Sequence, residues 1–204
     1  MPDYQSLNDN PASILDYLKT NVIASGKLQN SKVKNTPEHI VFEHTEYPSG
    51  QVDGSAADVH YLKNSDETSP AKSVKAFICD YTKNDVESCI LDHRKAKFCF
   101  TITMNGCTFG VGIPGEDGTL MVTHANTGGL TTEQRQQTFD THETSNVALM
   151  EPALYRHMAD KLTATTFGFW SGSEWKFYFQ LYQPSGGVFK AIGTFPIPGQ
   201  SFVH

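Results

Sequence analysis

Between Phe98 and Thr123 short apolar runs alternate with glycine breaks. Phe98–Met104 is followed by Asn105-Gly106, Cys107–Ile113 by Pro114-Gly-Glu-Asp-Gly118, and Leu120–Thr123 closes the series. Runs this short, separated by turn residues, read as β-strands joined by tight connections. Asn-Gly between alternating apolar residues is itself a hairpin-turn signal. The same pattern predicts strands at His39–Tyr47, Val59–Leu62, Val74–Tyr81, Phe167–Trp170, Trp175–Tyr182 and Val188–Phe195. Pro184-Ser-Gly-Gly187 makes the last two a hairpin.

Helical signals are fewer. Asn10 and Pro11 read as cap and first position of a helix carrying Ile14, Leu15, Leu18, Val22 and Ile23 and stopping at Gly26. Thr131 and Gln134 have capping-box spacing. Pro152 opens a further helix with Leu154, Tyr155, Met158 and Leu162 on one face. Residues 27–37, 48–55 and 64–72 read as loops. The expectation is an α+β fold, a mixed or antiparallel β-sandwich-like core flanked by helices. No linker divides the 204 residues, so 1–204 reads as one domain, with 1–10 as a flexible leader.

Charge and composition narrow the function classes. A net charge of −6 argues against nucleic acid as a primary partner. No apolar stretch is long enough for a membrane span, and the polar start lacks the pattern of a cleaved signal peptide. The four cysteines, Cys79, Cys89, Cys99 and Cys107, contain no Cys-x-x-Cys pair. They suggest a reducing workplace and no structural zinc. The eight histidines are scattered without a metal-binding motif, so neither metal nor cofactor is expected.

Cys107 alone among the cysteines follows a glycine and precedes a hairpin-placed histidine, His124. With a four-residue loop at Pro114–Asp117, Cys107 falls opposite His124, with Cβ atoms about 5 Å apart. A five-residue loop puts Ala125 opposite Cys107 and turns the two side chains to opposite faces. An imidazolium beside a thiol stabilises the thiolate and can later protonate a leaving group. The Cys107 N–H is a candidate oxyanion donor. Candidates to orient the histidine are Thr101, Thr103, Thr123, Asn126 and backbone carbonyls. The competing reading makes Cys107 a small buried hydrophobe in an ordinary core.

Asn105-Gly-Cys-Thr108, a short apolar strand, a glycine turn and His124 at the end of the next strand together resemble bacterial protein-glutamine deamidases. These are the chemoreceptor deamidase CheD, the cytotoxic necrotizing factor catalytic domain and the Burkholderia lethal factor. The resemblance covers about 25 residues, and Asn105 stands where the group often has serine. It implies Cys107 as nucleophile, His124 as acid–base and Thr101, six residues before the cysteine, as orienter. A tight Asn-Gly turn would separate Thr101 from Cys107 by roughly 10 Å along the strand, so that role requires an open 104–106 connection. The resemblance further implies a bacterial effector toxin, a hydrolase made without a cleavable signal peptide and acting as a monomer in the host cytoplasm. Its partner would be a protein substrate with a target glutamine, a translation helicase or a Rho-type GTPase. A thiol transglutaminase or protease, and a non-enzymatic β-rich binding module, are the alternatives. The aromatic cluster from Trp170 to Tyr182 reads as core and edge packing. The Ser171-Gly172-Ser173 loop between the tryptophans is a possible wall of a protein-binding groove.

Overall fold

The turn-punctuated runs do form strands, and they stack as two sheets. The computed structural model describes residues 2–126, 131, 133, 146–156 and 162–199. The strands are β1 (Asn21–Lys27), β2 (Glu38–Val52), β3 (Ser55–Ser65), β4 (Val74–Cys79), β5 (Val86–Asp92), β6 (Phe98–Thr101), β7 (Thr108–Pro114), β8 (Thr119–Ala125), β9 (Asn146–Met150), β10 (Thr163–Trp170), β11 (Trp175–Ser185) and β12 (Val188–Pro196). The helices are α1 (Tyr4–Asp9), α2 (Ile14–Tyr17) and α3 (Pro152–Arg156), with a 3-10 turn at Pro11–Ser13. Strand takes 56% of the described residues and helix 10%. The sandwich-like core is present, but helices trim it rather than form a layer, so the molecule is mostly β.

The larger sheet runs β1-β3-β2-β12-β11-β10-β6-β4, and β4 pairs again with β2. The long β2 makes this possible. Glu38–Ile40 face β4, while Ser49–Val52 face β12. The sheet therefore curls into a ring. Its inner side holds Ile40, Phe42, Phe98, Phe100, Phe167 and Phe169 with Ile14, Leu18 and Ile23 from the N-terminal segment. Side-chain alternation sends Phe77, Cys79, Cys99, Phe177 and Phe179 to the other side, against the smaller sheet. That sheet runs β5-β8-β7-β9 and contributes Cys89, Leu91, Phe109, Val111 and Val122 to the same interlayer core. Gly168 leaves room there for a neighbour. A Cβ on it would meet the Phe177 ring at 2.4 Å.

Several boundaries differ from the sequence reading. The stretch expected as a leader folds, with Tyr4 and Leu7 buried in α1. The Tyr4 hydroxyl accepts the Phe42 N–H at 2.6 Å. The helix predicted as far as Gly26 ends at Tyr17, because Val22 and Ile23 pair with β3 as a parallel strand. β-branched residues suit that pleated pairing better than a fourth helical turn. The loop expected over 48–55 is mostly strand, since β2 continues to Val52 past an irregularity between Thr45 and Gly50. The Asn105-Gly106 hairpin is absent. β6 lies in the larger sheet and β7 in the smaller, so residues 102–107 form a crossover between layers. The Pro184–Gly187 hairpin is found as predicted. The capping box at Thr131–Gln134 and Met158 of the third helix fall largely outside the described residues.

Candidate active site

Cys107 ends the crossover from β6. Met104 anchors its middle through reciprocal backbone hydrogen bonds with Ala164, each 3.1 Å. Gly106 takes φ +93°, a conformation open to glycine at little cost. The Gly106 N–H donates to the Tyr155 hydroxyl, which in turn donates to the Cys107 carbonyl, both at 2.8 Å. Tyr155, carried on α3, is fully buried. One phenol thus clamps the peptide on either side of the candidate nucleophile.

The register at β7–β8 is neither of the two considered from sequence. Phe109 pairs with His124, and Thr108 with Ala125. The cause lies at the turn, which closes with Pro114 opposite Leu120, and an extra residue in β7 between Val111 and Pro114 then moves the ladder back by one step. Extending the ladder one step sets Cys107 opposite Asn126. Cys107 and His124 then share one face as diagonal neighbours, a relation with Cα atoms about 7–8 Å apart. The parity that brings thiol and imidazole to one side is kept, but direct opposition is lost. That face is the interlayer side. Cys107 is 4% exposed and His124 1%.

Two groups not anticipated, Glu87 and Tyr81, join them beside the candidate Asn126. Glu87 on β5 pairs directly with His124 from the other flank, so His124 stands between Glu87 and Phe109 in one cross-strand row. Glu87 accepts from the Thr82 hydroxyl at 2.5 Å and pairs with Lys34 at 3.2 Å. The Tyr81 ring lies 5.7 Å from the His124 ring, tilted by 56°. The Asn126 amide donates to the Tyr81 hydroxyl at 2.5 Å, and the Asn126 N–H to the Asp85 carbonyl at 3.0 Å. The alternation Glu87, Cys89, Leu91 marks β5 as a half-buried strand and was the available signal for Glu87.

The candidate orienting residues divide accordingly. Asn126 falls on the face of His124. Thr123, the next residue along β8 from His124, alternates to the opposite face. The Thr103 hydroxyl lies 3.3 Å from that of Ser25. Thr101 is fully buried at the end of β6, on the interlayer side with Cys99, and its hydroxyl donates to the Thr166 carbonyl at 3.4 Å. The open crossover meets the condition set for Thr101, yet its hydroxyl engages the larger sheet.

The other three thiols are buried in the same interlayer core. Burial raises Cys79 and Cys99 well above the usual thiol range, with neighbouring thiols adding to the effect, and pushes Cys89 up to about 12. Among the described residues, no three His, Cys, Asp or Glu side chains converge to hold a metal. No helix among them is long and apolar enough to cross a membrane. Comparison of the chain with family models and with curated proteins finds no match.

Proposed function

We propose that Cys107 and His124 are the nucleophile and acid–base of a protein-glutamine deamidase. The observation that supports this is their placement on one face of adjacent strands, with Glu87 beside the imidazole. A cysteine, a histidine and a carboxylate in that order suit thiol activation. Cys107 sulfur attacks the side-chain amide carbon of a target glutamine, and the carbonyl oxygen becomes an oxyanion. Collapse expels ammonia, which takes its proton from His124 and leaves a thioester. Water then gives a proton to His124 and attacks the thioester, releasing glutamate and the free thiol. The backbone N–H of Cys107 is the oxyanion donor of this scheme, because that of Gly106 is engaged by Tyr155. Thr101 enters as a positioning residue by resemblance alone. The same resemblance supports a bacterial effector acting on a host translation helicase or Rho-type GTPase.

A second reading has its own observation. The low exposure of both residues favours a non-enzymatic β-rich module in which Cys107 is core. Alkylation by iodoacetamide at neutral pH separates the two. Selective labelling of Cys107 over Cys79, Cys89 and Cys99 is the result expected of the enzyme, and uniform inertness that of the module. The deciding measurement is peptide mass spectrometry of a Rho-type GTPase and a translation helicase after incubation with the protein. Conversion of one glutamine to glutamate, with ammonia released and no amine incorporated, should occur with the wild type and vanish with Cys107→Ser.

A further inference from the structure

Asn105-Gly106 is the single Asn-Gly step in the chain, and in the fold it is a bend with an exposed asparagine rather than a hairpin. Such a step can modify itself. Glycine carries no Cβ to shield its nitrogen, so that nitrogen can reach the side-chain amide of the preceding asparagine. The backbone here is tied on either side. Met104 exchanges backbone hydrogen bonds with Ala164, and the Tyr155 hydroxyl holds both the Gly106 N–H and the Cys107 carbonyl. The Asn105 amide therefore stands in solvent, while the nitrogen it would react with is turned inward onto a buried phenol.

Two other asparagines precede a small residue, serine, and both are restrained differently. Asn30 donates to the Tyr81 carbonyl at 2.9 Å and accepts the Tyr81 N–H at 3.1 Å. Asn64 donates to Glu38 and accepts the Gln29 N–H, each at 2.9 Å. Their amides are held at both ends. At Asn105 the restraint lies on the attacking nitrogen instead.

We propose that Asn105 is a self-modification site that Tyr155 keeps closed. When the phenol releases the Gly106 N–H, that nitrogen gives its proton to base and bonds to the Asn105 side-chain carbonyl carbon. The carbon–nitrogen bond of the amide breaks, and ammonia leaves with a proton from water. Water then opens the cyclic imide at either carbonyl, leaving aspartate or isoaspartate at 105. No oxidant is consumed. Isoaspartate carries the main chain through the former side chain, so Gly106 and Cys107 no longer reach Tyr155 in register. Release of Tyr155 from the crossover is thus recorded irreversibly, as a new charge beside Cys107. The site stands whatever Cys107 does, because the attacking atom is a backbone nitrogen and not the thiol.

The test ages the full chain in mildly alkaline buffer, digests it at low pH and separates aspartate from isoaspartate peptides by chromatography and mass spectrometry. Asn30 and Asn64 serve as internal references. Folded wild type should convert Asn105 slowly, and urea-unfolded wild type many times faster. Tyr155→Phe, its fold verified by circular dichroism, should convert about twofold to tenfold faster than wild type while folded and match it in urea. Cys107→Ser should convert at the wild-type rate. Hydrogen exchange of the Gly106 amide should be slow in the wild type, a readout that needs no variant to fold. Folded conversion as fast as in urea, Tyr155→Phe no faster than wild type, acceleration shared equally by Asn30 and Asn64, dependence on Cys107, or an unprotected Gly106 amide would each overturn the assignment.

Discussion

At the scale of single residues, Tyr155 is the most consequential side chain that the sequence reading passed over as a helix-face aromatic. Its hydroxyl holds both the Gly106 N–H and the Cys107 carbonyl inside the molecule. Tyr155→Phe removes both bonds at once and leaves a donor and an acceptor to find water. We predict a loss of about 1–3 kcal/mol in urea unfolding, together with a changed rate of Cys107 alkylation. A purely packing role for the ring would leave both measurements near wild type. His60 gives a pH prediction. Burial holds its imidazole below the usual histidine value, His44 adds to the effect, and the Phe42 backbone and Asp58 carboxylate oppose it in part. The unfolded chain takes up its proton near pH 6.5 while the folded chain still refuses it. The contribution of neutral His60 is therefore complete above that pH and declines as pH falls toward the lowered folded value. Chemical denaturation at pH 7 and pH 5 should show a smaller acid loss in His60→Phe than in wild type.

Elements expose how much was legible beforehand. Strands with turn residues at both ends, such as β11 and β12, were readable because Gly186 and Gly187 fix where the chain reverses. β1 was misread because Val22 and Ile23 also fall at helical spacing from Ile14 and Leu18, and only the distant β3 decides between the two periods. The Asn105-Gly106 step carries a local hairpin signal that tertiary structure overrides, since its flanking strands belong to different sheets. For the site, the sequence left open whether Cys107 and His124 share a face, because loop length alone sets that parity, and the closure of the turn at Pro114 and Leu120 with the extra residue in β7 decided it. Glu87 was missed because Val86–Asp92 went unassigned as a strand, although its alternation carried the signal. α1 carries the prediction at this scale. Leu7 is 2% exposed, and Asn8 donates to the carbonyls of Pro70 and Ser73 at 2.8 and 3.0 Å. Leu7→Ala should cost about 2–4 kcal/mol in urea denaturation, and deletion of residues 1–9 at least as much. A dispensable leader would give no change.

For the whole molecule, chain connectivity sets the kinetics. With β3 along one edge, β2 must find both β4 and, near the other end of the chain, β12 along its second edge before the larger sheet can close. Pairings this remote in sequence are slow to form, because loop closure precedes the contacts that reward it. Stopped-flow refolding should show a main phase in the range of milliseconds to seconds, and microsecond folding would contradict this account.

The ring also limits how this molecule can meet others. A curved sheet that has joined its own strands leaves fewer idle amides along its perimeter, and among the described residues β1 is the end strand of the larger sheet. On the smaller sheet, the outer strand β5 has its Ile90 N–H occupied by the Asn35 side chain at 2.8 Å. Templated stacking of one copy on the next, the first step toward fibrils, is thus confined among the described strands to β1, β5 and β9. Across β6, β10 and β11, each hydrogen-bonded to a strand on both sides, a partner would meet side chains rather than backbone.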